Sequence, residues 1–236
     1  MSTQSLYLWL DILTLMVPLS RSFESKIEYS RSFAGLFAGI AIVGLPFILW
    51  DIWFTYMEVW GFDPNYLVGI NLINLPIEEV LFFVVVPFSC VFIYRVLNYF
   101  IPAVKTNRNW AYVAPFVFWF SLVIALTQTD KLYTLMTFGL LSLLLGYHLY
   151  IAKTEWLGLF FRAYAVILVP FCLVNGLLTG FGLESPIVYY NDAENLGIRL
   201  ITIPVEDTFY GMLLILGVIS IYERWFQKNK GQYSYE

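Results

Sequence analysis

The residues best suited to chemistry in this 236-residue chain are carboxylates that occur twice in one pattern. Pro76-Ile77-Glu78-Glu79 recurs as Pro204-Val205-Glu206-Asp207, with Asp51 ahead of the first copy and Asn175 ahead of the second. A carboxyl group taken out of water beside other carboxylates can keep its proton near neutral pH, which makes it a Brønsted acid. In an apolar cavity such an acid can protonate an alkene, and aromatic faces can stabilise the carbocation that results. Trp50, Trp53, Phe54, Trp60, Phe82, Phe83, Phe209 and Tyr210 are close enough in sequence to supply those faces. A bland reading stands beside this one. Pro suits the first turn of a helix, an acid there complements the helix dipole, and aromatic residues gather at membrane interfaces without doing chemistry.

Duplication shifts the balance toward function. Residues 69–79 align with 197–207 at six identical positions of 11, with three more conservative. The same offset of 128 pairs Ile93-Tyr94 with Ile221-Tyr222, while Asp51-x-x-x-Thr55 and Asn175-x-x-x-Thr179 stand 124 apart. Carboxylates held twice at one membrane depth are costly near lipid and are usually functional. Neighbouring helical residues point about 100° apart, so one member of each acid pair faces the bundle while the other hydrogen-bonds nearby.

The elements that carry these residues must be membrane helices. Hydrophobic residues make up 60% of the chain and charged ones 13%, about half of what covers a soluble domain. The same apolar content excludes disorder, and a net charge of −4 offers no field for nucleic acid. Apolar runs between charges predict seven helices, over residues 6–20, 33–55, 77–94, 112–128, 132–152, 161–180 and 204–222. The first is short, carries Asp11 and lacks the start of a signal peptide, so it is read as a retained helix. Arg21, Lys26, Arg31, Arg95, Lys105, Arg108, Lys153, Arg162, Arg224, Lys228 and Lys230 then fall on one side, and Lys131 and Arg199 on the other. The positive-inside rule puts the amino terminus outside and the carboxyl terminus in the cytoplasm. The expected fold is all-α: one three-helix repeat over 1–105, a connector helix over 106–130 and a second repeat over 131–236. An odd connector makes the repeats parallel, with a central interface as the natural site.

Other chemistries find little support. Gly180-Phe181-Gly182 has Ser185 where a dinucleotide fingerprint needs its third glycine. Cys90, Cys172 and the sole histidine, His148, make no metal-site spacing, and His148 reads as a packed residue. No pair of Asp-rich motifs could hold magnesium on a diphosphate, and none of the six lysines lies in a span to form a retinal Schiff base. No cofactor is expected.

Phe47-Ile48-Leu49-Trp50-Asp51, Trp60-Gly61-Phe62-Asp63-Pro64 and the run 75–83, followed by Val86-Pro87 and Phe92-Ile93-Tyr94, closely resemble the lycopene cyclase domain of the heterodimeric type. In that family two small membrane subunits form the enzyme in some bacteria, and a fused single chain occurs elsewhere; this chain resembles the fused form over nearly all its length. The resemblance implies acid-catalysed cyclisation of lycopene through γ-carotene to β-carotene, without net electron transfer. Identity between the repeats makes Glu78 and Glu206 the expected proton donors, with Glu79 and Asp207 tuning them or accepting the departing proton, and Asp51 and Asn175 orienting them. Asn175 for Asp and Asp207 for Glu depart from the pattern and make the halves unequal. Trp50, Trp53, Phe82, Phe83, Phe209 and Tyr210 are the expected substrate contacts. Expected partners are lycopene and γ-carotene dissolved in membrane lipid, together with other carotenoid-pathway enzymes. A carotenoid hydratase sharing the first protonation and a proton-coupled transporter are the alternative readings.

Overall fold

The structure, a computed structural model, describes residues 3–101, 110 and 112–228. Seven helices stand among the described residues: α1 Leu6–Arg21, α2 Phe33–Tyr56, α3 Ile77–Phe100, α4 Val113–Thr127, α5 Leu132–Gly146, α6 Leu157–Leu178 and α7 Val205–Lys228. A π-helical turn, Tyr147–Ile151, continues α5. Each helix falls on one of the predicted runs. Five segments are long and apolar enough to cross a membrane, namely Tyr29–Tyr56, Ile77–Phe100, Leu132–Ile151, Leu157–Leu178 and Val205–Phe226. The other two, α1 and α4, are shorter, with 16 and 15 residues.

The outward faces explain the composition. Leu45, Leu49, Leu126, Leu143, Val169 and Leu173 are all exposed on helices whose inner faces are also apolar. A helix apolar on both faces suits lipid on one side and a protein core on the other.

The packing repeats itself. Helix α1 lies on α3, as α5 lies on α7, and α4 covers α5. Between the halves, α2 packs on α7 and α3 on α6, two contacts that exchange under the repeat. Small residues bring α2 and α7 together: a Cβ on Gly39 would lie 3.0 Å from the Val218 carbonyl oxygen, and one on Gly217 would lie 3.0 Å from a Val43 methyl. Close backbone approach of this kind increases dispersion contact where lipid supplies no hydrophobic drive. Pro46 in α2 and Pro170 in α6 also sit at matched positions, 124 apart.

Strands are the unexpected addition to an all-helical prediction. Loops 57–76 and 179–204 meet at one end of the bundle, where β1 Trp60–Phe62 pairs antiparallel with β4 Val188–Tyr190 and Gly61 lies opposite Tyr189. Each loop closes with a minimal hairpin, β2 Asn71–Leu72 with β3 Leu75–Pro76, and β5 Arg199–Leu200 with β6 Ile203–Pro204. The pairing satisfies backbone groups in loops too long to leave bare beside lipid. Ile73 and Ile201 hold φ of 61° and 62°, a left-handed conformation that costs a β-branched residue on the order of 1–3 kcal/mol. Matched bonds hold them there. The Asn74 side chain donates to the Ile52 carbonyl (2.9 Å), and Thr202 donates to the Gly176 carbonyl (3.3 Å). Across the loops, Ser185 donates to Asp63 at 2.6 Å; that hydroxyl and the Asn65 amide hold the half-buried Asp63 below the usual carboxylate range.

The sequence puts Lys131 and Arg199 at this loop end, where Lys131 Nζ donates to the Asn195 carbonyl. Arg162 differs from its expected loop position. It is buried in the second turn of α6 and donates to Asn98 and the Ile101 carbonyl at the end of α3. Lys105, Arg108, Lys230 and the start of the connector, 106–109, lie outside the described residues.

Candidate active site

Both acid pairs open their helices directly after a hairpin. Glu78 and Glu79 lie in the first turn of α3, and Glu206 and Asp207 in the first turn of α7. All four are buried, the first and third completely.

The pairs divide as the 100° rule requires, and in the same way in both repeats. Glu78 Oε1 accepts the Val68 N–H at 2.7 Å, and Glu206 Oε1 accepts the Leu196 N–H at 2.7 Å. Thr134 also donates to Glu206 Oε1 at 2.7 Å. These two glutamates therefore anchor the loops that precede their helices. Their Oε2 atoms are buried with no hydrogen-bond partner, as is Asp11 Oδ2 in α1.

The second members face inward. Glu79 and Asp207 line one cavity of about 70 Å³ that also touches Asp51, Asn175, Tyr7, Trp60, Phe82, Tyr133, Tyr190 and Tyr210. The expected proton donors, Glu78 and Glu206, do not line it. Around Glu79, the Tyr7 hydroxyl donates to Oε2 at 2.6 Å, and the Asp51 carboxyl lines the same cavity. Asp51 Oδ1 accepts the Trp60 indole N–H at 2.5 Å and lies 3.4 Å from the Thr55 hydroxyl. Around Asp207, Tyr133 donates to Oδ1 at 2.7 Å, while the Asn175 amide at 2.7 Å and Tyr190 at 2.9 Å donate to Oδ2. Burial and the adjacent Asp207 carboxyl hold the Tyr190 phenol well above its ordinary value, so Tyr190 remains a donor.

The expected aromatic contacts separate. Phe82, Trp60 and Tyr210 reach the cavity. Trp50 packs behind it on Phe47 and Tyr210, with ring centroids 5.4 and 5.1 Å away, and Phe54 packs on Trp50 and Trp60. Phe83 is buried against Phe47, Trp53 is half exposed on the outer face of α2, and Phe209 stacks on Phe138 and Phe120. The sequence reading overlooked Tyr7, Tyr133 and Tyr190. Leu6-Tyr7 and Leu132-Tyr133 recur 126 apart at the heads of α1 and α5, a signal that marks the first two. His148 is buried between the Thr154 hydroxyl (2.7 Å) and the Ser220 hydroxyl (2.8 Å), well away from the cavity.

The arrangement can give and take a proton in an apolar, aromatic-walled space, which is what ring closure on an alkene requires. The family model described as lycopene cyclase matches residues 4–97 and again 130–225, the two segments that hold the acid pairs. No curated protein and no solved structure matches the chain. Two matched segments in succession within one chain are consistent with the fused single-chain form. With most of its length matched and its carboxylates gathered around one aromatic cavity, the chain belongs to the lycopene cyclase family, whose members close rings on carotenoids.

Proposed function

We propose that the protein is a lycopene β-cyclase, converting the ψ ends of lycopene through γ-carotene to β-carotene without a cofactor. The observation that carries the reading is the shared cavity: carboxyls from both halves, Glu79 and Asp207, line it together with Trp60, Phe82 and Tyr210. One carboxyl protonates the terminal double bond. The resulting cation is attacked by the next double bond, which closes a six-membered ring, and loss of a ring proton to a second carboxyl leaves the β-ring. Aromatic faces lower the energy of the cation in between. Substrate and product are isomers, so the enzyme is an isomerase of the intramolecular lyase kind.

In this proposal the proton moves through Glu79 and Asp207, while Glu78 and Glu206 hold the loops. Asp51 and Asn175 orient the inner pair. All seven helices cross the membrane as two parallel repeats, α1–α3 and α5–α7, joined by α4. At about 1.5 Å per residue, α1 and α4 are shorter than the ~30 Å hydrocarbon core and would thin or locally adapt the bilayer. The meeting of loops 57–76 and 179–204 at one end supports the parallel arrangement. The substrate reaches the cavity from the lipid in which it dissolves.

The test is expression in lycopene-accumulating cells followed by pigment chromatography. β-Carotene is the expected product, with γ-carotene appearing first. A hydroxylated acyclic carotenoid would replace the reading with that of a hydratase, and unchanged lycopene would remove it.

A further inference from the structure

The two halves are not equal at the cavity. At repeat-related positions the first half carries a carboxyl where the second carries an amide, Asp51 against Asn175. A second difference works in the same direction. Tyr190, which donates to Asp207, corresponds to Phe62 in the first half, which has no hydroxyl to offer Glu79.

Hydrogen-bond accounting turns these differences into chemistry. An ionised carboxylate only accepts, so two carboxyl groups bonded to each other must share a proton. Asp51 stands where, in the second half, Asn175 donates to Asp207, and Asp51 and Glu79 are both buried on the one small cavity, which favours a proton shared between them. Asp51 has two donors, the Trp60 indole at 2.5 Å and the Thr55 hydroxyl at 3.4 Å, against the single Tyr7 hydroxyl on Glu79, which favours the proton on Glu79. Asp207 meets three donors, Tyr133, Asn175 and Tyr190. Three donated bonds are what an ionised carboxylate takes up. Both groups open on the same cavity, so the halves do not form two separate centres.

Resting on the cyclase reading, we propose that the repeats have divided the reaction: the Glu79–Asp51 pair of the first half donates the proton, and Asp207 of the second half removes one after ring closure. Glu79 and Asp207 are the catalytic residues; Asp51, Asn175, Tyr133 and Tyr190 are positioning residues. The step balances. Glu79 loses its proton to the terminal alkene carbon, a carbon–carbon bond closes the ring, and a C–H bond adjacent to the new cation breaks as its proton passes to Asp207. Asp207 then releases that proton to solvent and the Glu79–Asp51 pair takes up another, so no proton or electron is consumed overall. A centre with one donor holds one end group at a time. The two rings of a dicyclic product are therefore made in separate visits, and γ-carotene is released between them.

The test uses the full-length protein in lipid vesicles with lycopene in deuterated water. Wild-type protein should place one deuterium in each ring it forms. Glu79→Gln should lose both ring formation and exchange by at least about a hundredfold, the scale of general acid catalysis. Asp207→Asn should lose ring formation comparably while the recovered lycopene still gains deuterium, because protonation proceeds and reverses. Asn175→Asp changes one amide to a carboxyl of the same size and forces Asp207 to share a proton. It should lower ring formation with exchange retained, and it carries the test if a charge-removing variant fails to fold. Full ring formation in Asn175→Asp, exchange lost alike in Glu79→Gln and Asp207→Asn, or roughly half the activity left in each, overturns the division of labour while leaving the cyclase reading intact. Wild-type protein that neither labels nor cyclises lycopene overturns both.

Discussion

At the scale of single residues, the acid pairs show how one peptide step separates two roles. Glu78 and Glu206 lie against loop amides, while Glu79 and Asp207, one residue on, lie at the cavity. The tyrosines above them decide what the inner acids can do. Tyr133 supplies one of three bonds to Asp207, and Tyr7 donates to Glu79. A hydrogen bond to a charged group contributes about 1.5–3 kcal/mol. Tyr133→Phe should therefore slow cyclisation by roughly ten- to hundredfold, measured as initial β-carotene formation. Tyr7→Phe should cost less if Glu79 is the protonated partner, because the bond it removes goes to a neutral carboxyl. Equal losses in the two variants would contradict that protonation.

At the scale of elements, helix geometry depends on contacts far from the acids. Helix α2 carries Asp51 and α7 carries Asp207, and the two lie together through Gly39 and Gly217. A side chain on Gly39 meets the Val218 carbonyl, a backbone atom that cannot swing aside. Gly39→Leu should destabilise the protein by about 1–3 kcal/mol, the usual cost of overpacking. Thermal unfolding in detergent checks this, with a lowered midpoint expected and an unchanged one counting against the close approach. The hairpins are the other elements that set the acids. Each holds a β-branched residue in left-handed conformation just before an acid pair, tied to the end of the preceding helix by Asn74 or Thr202. The start of the acidic helix and the end of the helix before it are thereby locked together in both halves.

At the scale of the whole molecule, orientation follows from charge. The sequence assigns 11 of the 13 basic residues to one side of the bundle, and the positive-inside rule predicts that side to be cytoplasmic. A fluorescent reporter fused after Glu236 should therefore fold in the cytoplasm, and a cysteine placed at exposed Asn71 should react from outside with an impermeant label. The reverse pattern would invert the molecule. Much of this architecture is legible in the chain itself. Seven apolar runs predict seven helices to within a few residues at most ends, because lipid forces each run to satisfy its backbone internally. The 128-residue repeat marks the acids, because duplicated sequence preserves the spacing of chemistry-bearing groups. What the chain alone left open was direction and company. The sequence reading chose Glu78 and Glu206 as donors because they are identical between the halves; in the structure each accepts a loop amide. Only the tertiary structure turns Glu79 and Asp207 toward one cavity, brings Tyr7 and Tyr133 to them from other helices, and sets Tyr190 against Asp207 through a strand pair between distant loops. Those placements depend on how helices cross and which loops meet, and a linear pattern of residue types carries no such information when the partners are more than 70 residues apart.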